Sequence, residues 1–150
     1  MMNIKIHTIG FTKKTAEYFF KKLKDNNVHT VIDTRLNNHS QLSGFAKAKD
    51  LEFFLKKICD IEYIYRPELA PTKKILDDYK NKKITWDNYA HEYINLMEKR
   101  NIASNLSRND VDNGCLLCSE DTPHQCHRRI LAEYLKYQWI NEKIDINHIL

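Results

Sequence analysis

A three-layer, Rossmann-like α/β domain is predicted for this chain by three observations. Short runs rich in β-branched residues alternate with segments of helical periodicity, and parallel neighbours in a sheet need helical crossovers of that kind. No internal repeat, low-complexity tract or linker divides the 150 residues. A chain of that length buries roughly 70% of its unfolded surface, enough to cover both faces of a sheet. The expectation is one domain over residues 1–150, with a mostly parallel sheet of about five strands and a helical insertion before the fourth.

The first strand is read at Ile4 to Ile9, ending at Gly10-Phe11-Thr12, where Gly10 allows a tight turn and Thr12 can cap a helix. Ala16, Phe19, Phe20 and Leu23 then form one apolar stripe at helical spacing, closed by Asn26-Asn27. Val28 to Thr34 is the second strand, and the polar, aperiodic segment from Arg35 to Phe45 is a loop. Leu51, Phe54, Leu55 and Ile58 repeat the helical stripe, and Ile61 to Tyr65 is the third strand, broken at Pro67. From Thr72 to Ser107 the chain reads as helical throughout, with Thr85 as a cap and Trp86, Tyr89, Ala90, Tyr93, Ile94 and Met97 on one face. Gly114 to Cys118, behind an Asn-Gly turn, is apolar and too short for a helix, so it is the fourth strand. Thr122-Pro123-His124-Gln125 has capping-box spacing with Pro in the first helical position, and Ile130, Leu131, Tyr134 and Leu135 continue that helix. Ile144 to Ile149 is the last strand.

Composition narrows the function classes. Hydrophobic residues at 42%, charged residues at 29%, three Gly and three Pro exclude collagen, coiled coil and disordered linker. No apolar run is long enough for a membrane span, and the N-terminus lacks a signal-peptide pattern, so an intracellular, cytoplasmic protein with no membrane partner is expected. The net charge of +4 suits anionic partners but falls short of a nucleic-acid footprint, its lysines being scattered as on solvated helix faces. The four cysteines are expected to be reduced thiols.

Ligands of open α/β sheets bind outside the carboxyl ends of the strands. The chemically capable residues fall there. Cys118 to Arg129 joins the fourth strand to a helix start, where the macrodipole favours thiolates and anions at Cys126, His127 and Arg128. Arg128 can fork onto a phosphate or carboxylate, whereas Arg129 is expected to pair with Glu133 four residues on. Cys118 stands at the strand exit as a candidate nucleophile beside Glu120; Cys126 and His127 share the side of Ile130, Leu131 and Tyr134 and also suit a buried core. Cys115-x-x-Cys118 followed by Cys126-His127 superficially supplies four zinc ligands, but residues three apart on a strand face opposite ways, so the two cysteines converge only if Gly114 to Cys118 is a knuckle instead of a strand. Cys115 is therefore read as packing, and no metal is assigned.

The second constellation is Asp33-Thr34-Arg35 and the loop after it, with Ser43 and Phe45. Asp33 and Arg35 share a strand face, where they pair with each other, cap a loop or bind substrate. No Gly-rich phosphate loop and no Gly-x-Ser-x-Gly elbow occurs, which disfavours an ATPase, a typical dinucleotide binder and a serine hydrolase of that type.

Thr8-Ile9-Gly10-Phe11-Thr12, Ile32-Asp33-Thr34-Arg35, Ser43-Gly44-Phe45, Pro67-Glu68-Leu69, Leu117-Cys118-Ser119-Glu120, Cys126-His127-Arg128 and Asn147-His148 together resemble the family called domain of unknown function 488. The resemblance runs from Thr8 to His148. It implies an intracellular α/β domain with one polar cluster at the strand ends, and it carries no established reaction.

Two readings compete. In the first, the chain is an enzyme, a hydrolase or transferase acting on an anionic small molecule, nucleotide or nucleic acid. Cys118, Glu120, Asp33 and His127 are its catalytic candidates; Gly10, Thr12, Arg35, Ser43, Phe45, Glu68, Cys126, Arg128 and His148 are its ligand-binding candidates. In the second, the same cluster holds a nucleotide or other anion as a non-catalytic sensor or adaptor. No cofactor is assigned in either, and the oligomeric state is left open.

Overall fold

The computed structural model of the chain describes residues 3–38, 44–119 and 126–150. Five strands, β1 (Asn3–Gly10), β2 (Thr30–Asp33), β3 (Glu62–Tyr65), β4 (Gly114–Cys118) and β5 (Lys143–His148), form one sheet in the order β3-β2-β4-β1-β5. Every pairing is parallel. β4 lies between β1 and β2 and is buried along its whole length, which is why Gly-Cys-Leu-Leu-Cys reads as a continuous apolar run and not as an alternation.

Side-chain phase divides the core. Ile4, Ile6, Ile32, Leu116 and Ile144 face one layer, and Ile9, Val31, Cys115 and Leu117 face the other. The second layer is α1 (Ala16–Asp25) and α2 (Ala48–Phe54), which contribute Phe19, Phe20, Leu23 and Leu51. The first is built from α3 (Lys73–Lys80), α4 (Trp86–Lys99), α5 (Ile102–Asn105), α6 (Arg108–Val111) and α7 (His127–Gln138). Tyr89, Tyr93 and Met97 of α4 and Ile130, Leu131 and Leu135 of α7 supply most of its apolar surface. The sheet is therefore sandwiched as expected, with the helical insertion before β4.

This topology creates one switch point. The connection from β1 passes over the sheet through α1, and the connection from β4 passes over the opposite face through α7. β1 and β4 are neighbours, with Gly10 in register with Cys118. The crevice between strands whose helices leave for opposite faces is where open α/β sheets bind ligands.

Several local expectations are corrected. Thr12 does not cap α1; Thr15 does, its side chain accepting from Tyr18 N. Gly10 stays in β1, and Lys13 takes the left-handed conformation (φ 63) instead. The second helical stripe slips after Phe54, because the chain continues as a π-turn over Leu55–Cys59. The wider turn rotates Ile58 outward, leaving it 49% exposed while Leu51 and Leu55 stay buried. Residues 72–107 are not one continuous helical run: Lys82 and Asn101 adopt positive φ (60 and 53) between α3, α4 and α5, which turns the chain twice. Thr85 caps α4 as expected, accepting from Asn88 N. The first residue of α7 is His127, with Cys126 as its N-cap; the box at residues 122–125 lies outside the described residues.

Among the described residues no helix is long and apolar enough to cross a membrane.

Candidate functional site

Strand phase sorts the strand-end residues onto two sides of the sheet. Thr8, Thr34 and Cys118 point toward α7, whereas Asp33 and Arg35 point toward α2. The sequence reading gave two constellations, Cys118 to Arg129 and Asp33-Thr34-Arg35, at one set of strand ends; the sheet keeps two buried polar networks on opposite faces but moves Thr34 into that of His127.

On the α7 side, Arg128 is the centre. It is fully buried in the first turn of α7, donating from Nε to Thr8 Oγ1 (3.2 Å) and from Nη1 to Cys118 Sγ (3.0 Å). The Thr8 hydroxyl lies 2.6 Å from His148 Nδ1 at the carboxyl end of β5. Burial, then the charge of Arg128, lowers the His148 pKa, so the ring is neutral and accepts the Thr8 proton. His127 is buried against Thr34. Its Nε2 donates to Thr34 O at 2.9 Å, and Thr34 Oγ1 lies 2.9 Å from the same nitrogen while donating to Leu117 O. A carbonyl only accepts, so the proton is on Nε2 and the Nδ1 lone pair faces Cys126 Sγ, 4.0 Å away. Desolvation is the main cause that lowers the His127 pKa to about 4.

Cys118 and Cys126 are joined sulfur to sulfur across eight positions of sequence, with Cα atoms 7.4 Å apart. The expectation of four reduced thiols is therefore corrected at this pair, which the end of β4 and the N-cap of α7 bring together. Cys59 and Cys115 are free. Cys115 faces the α1 layer, opposite to Cys118, and burial raises its pKa. Among the described residues no three His, Cys, Asp or Glu side chains gather closely enough to hold a metal ion.

On the α2 side, Arg35 and Asp33 form a buried fork. Arg35 Nε donates to Asp33 Oδ1 (2.8 Å) and Nη2 to Oδ2 (2.7 Å), while Nη1 donates to Ala46 O (2.7 Å). Tyr63 OH donates to Asp33 Oδ2 at 2.6 Å, and the guanidinium lies over the Phe11 ring, 5.4 Å from its centroid. Of the three uses open to this pair, two are observed: mutual pairing, and the capping of a loop through Ala46 O. Together they hold the chain after β2 to the 3-10 turn at Gly44–Ala46 and to β3.

The other candidates separate from these networks. Thr12 ties the β1 end to the β4 end: its N–H donates to Ser119 O at 3.1 Å, and its hydroxyl donates to the same oxygen. Phe45 packs at a tilt against Phe19 and edge-on against Phe20 (ring centroids 5.3 and 5.8 Å apart) at an apolar groove along α1, away from Cys118. Glu68 stands exposed in the turn after β3, its carbonyl accepting from Arg100. Arg129 does not pair with Glu133; its guanidinium lies over Trp86, 5.8 Å from the ring centroid, because α4 crosses the start of α7. Ser43 and Glu120 lie outside the described residues. Sequence reasoning quoted Thr8 and Thr34 within motifs without choosing them as site residues, and it passed over Tyr63. The first two carried a signal: with β1, β2 and β4 parallel and in register, their parity puts them on the face of Cys118.

A family model described as "Domain of unknown function DUF488" matches residues 15–135. Neither a curated protein nor a solved structure matches the chain.

Proposed function

We propose that this chain, which belongs to the domain of unknown function DUF488 family, is a thiol-dependent enzyme that uses reduced Cys118 as nucleophile toward an anionic substrate. The observation that supports this reading is the 3.0 Å contact from Arg128 Nη1 to Cys118 Sγ. A guanidinium at that distance stabilises a thiolate over a thiol, and the thiolate is the reactive species. Three further features agree with it. Cys118 ends β4 at the switch point between β1 and β4; the first turn of α7 adds its positive partial charge; and Glu120, two residues on in the sequence, is the carboxylate we assign to proton transfer. In the reaction class proposed, the Cys118 sulfur forms a bond to the electrophilic atom as the bond to the leaving group breaks. The leaving group takes the proton of Glu120 in its carboxylic acid form; water or a second acceptor then gives a proton back to Glu120 as it releases the product and restores the thiolate.

The test is the rate of alkylation of the fully reduced protein by iodoacetamide, mapped by mass spectrometry. Cys118 is expected to react about ten-fold or more faster than Cys115 at neutral pH, with a midpoint below the ordinary thiol value of about 8.5. Arg128→Gln should raise that midpoint. A Cys118 that reacts no faster than Cys115 overturns the nucleophile and leaves the anion-binding sensor as the reading to pursue.

A further inference from the structure

We infer that Cys118 and Cys126 are a reversible dithiol–disulfide couple that closes this site when oxidised and opens it when reduced. The inference rests on the site proposed above and shares with it the Arg128–Cys118 contact, but the pairing of the cysteines and the independence of the fold from their bond are separate observations.

The first is the pairing. Of the four cysteines, only the two at the switch point are joined, while Cys115 lies in the opposite layer and Cys59 at the end of the π-turn. The second is that the fold does not depend on the bond. β4 is held on both sides by parallel ladders to β1 and β2, and α7 is anchored by Ile130, Leu131 and Leu135 in the apolar core. The link spans only eight positions of chain, so it restricts the unfolded ensemble less than a long-range bridge would. A cross-link between elements that are already fixed has little structural work to do.

The third observation is the surroundings of the two sulfurs. Arg128 contacts Cys118 Sγ, and Cys126 is the N-cap of α7 with the Nδ1 lone pair of His127 4.0 Å from its sulfur. Disulfides exchange faster when the departing sulfur is stabilised as a thiolate, and Arg128 provides that at Cys118. Opening then has a defined course. One thiolate of an external dithiol attacks Cys126 Sγ, and the Cys118 thiolate departs beside Arg128. The second thiol of the reductant attacks the mixed disulfide, and Cys126 leaves and takes up one proton. The reductant ends as a disulfide, having delivered two electrons to the pair. In reverse, the Cys126 sulfur beside neutral His127 gives up its proton and attacks an oxidised dithiol, which releases one of its sulfurs as a thiol; the Cys118 thiolate then attacks Cys126 Sγ and releases the second, so that the dithiol leaves reduced. While the bond stands, Cys118 has no thiolate with which to attack a substrate.

The experiment uses the full chain equilibrated in buffers of reduced and oxidised dithiothreitol, quenched with acid, alkylated under denaturing conditions and mapped by peptide mass. The expected result is a bridge that appears and disappears reversibly, blocking Cys118 and Cys126 together while Cys59 and Cys115 stay alkylated. Native circular dichroism should be the same at both ends of the titration. In Cys126→Ser, diamide treatment should no longer protect Cys118 from alkylation. Four alkylated cysteines under every oxidising buffer would overturn the couple, and so would a bridge that excess dithiothreitol opens only after denaturation, which marks a structural link. Slow alkylation of reduced Cys118 would defeat the nucleophile alone; a bridge that still opens and closes would leave the couple standing.

Discussion

The Thr8 hydroxyl lies between two groups from opposite ends of the chain, donating to His148 Nδ1 at 2.6 Å and accepting from Arg128 Nε at 3.2 Å. One small side chain near the carboxyl end of β1 thereby sets the orientation of the guanidinium that meets Cys118. Thr8→Val keeps the shape and removes both bonds. It should cost about 1–3 kcal/mol in urea unfolding, the penalty for buried polar groups left without partners, and slow the alkylation of reduced Cys118. Thr8→Ser should restore both. Equal unfolding midpoints for wild type and Thr8→Val would show that Arg128 is held without the hydroxyl.

Acid should destabilise the fold through buried imidazoles. Burial lowers the pKa of both His127 and His7 from 6.5 to about 4. Below pH 6.5 the unfolded chain takes up protons that the folded chain refuses, so stability falls as pH drops from 6.5 toward 4 and is flat above that window for these groups. His127→Gln retains a donor for Thr34 O and removes one of the two groups. The difference in slope between wild type and variant should approach about 1.4 kcal/mol per pH unit in mid-window. Chemical denaturation at a series of pH values measures it, and parallel curves would mean that His127 titrates alike in both states.

Much of this architecture was legible because periodicity reports burial. The alternation of strand and helix, the apolar run at β4 and the cap at Thr85 each have a local cause. What escaped were features decided by packing. Ile58 follows Leu51 and Leu55 in helical phase, yet a π-turn rotates it out; Lys82 turns the chain at positive φ without a glycine to announce it. The candidate site was legible as a set of residue types at strand ends. The parting of Thr34 from Asp33 and Arg35 was not, because a one-residue difference in strand phase sends Thr34 to His127 and Asp33 to Tyr63. The pairing of Cys118 with Cys126 likewise depends on where α7 begins.

Gly114 should tolerate no side chain. A Cβ there would stand 2.6 Å from Asp110 O and 2.9 Å from Val111 O, both backbone atoms at the end of α6. Gly114→Ala is expected to cost about 1–3 kcal/mol or more through forced backbone displacement, read as a lower midpoint in thermal or urea unfolding. Gly44, with open space around its Cα, is the control: Gly44→Ala should leave the midpoint within about 0.5 kcal/mol. Equal effects at the two positions would contradict the close approach of α6 to β4.

The Asp33–Arg35 fork makes a different kind of prediction, because its two members are worth more together than apart. Asp33 is fully buried and Arg35 only 3% exposed, and each satisfies the other's charge at 2.7 Å. Asp33→Asn leaves a buried guanidinium without its counter-charge, and Arg35→Met leaves a buried carboxylate; each should cost about 3–5 kcal/mol. The double variant leaves neither charge, so its cost should fall well below the sum of the singles. Urea denaturation of all four proteins gives the coupling energy directly. Strict additivity would mean that Asp33 and Arg35 act independently, and Arg35 would then return as a candidate for holding an anionic ligand.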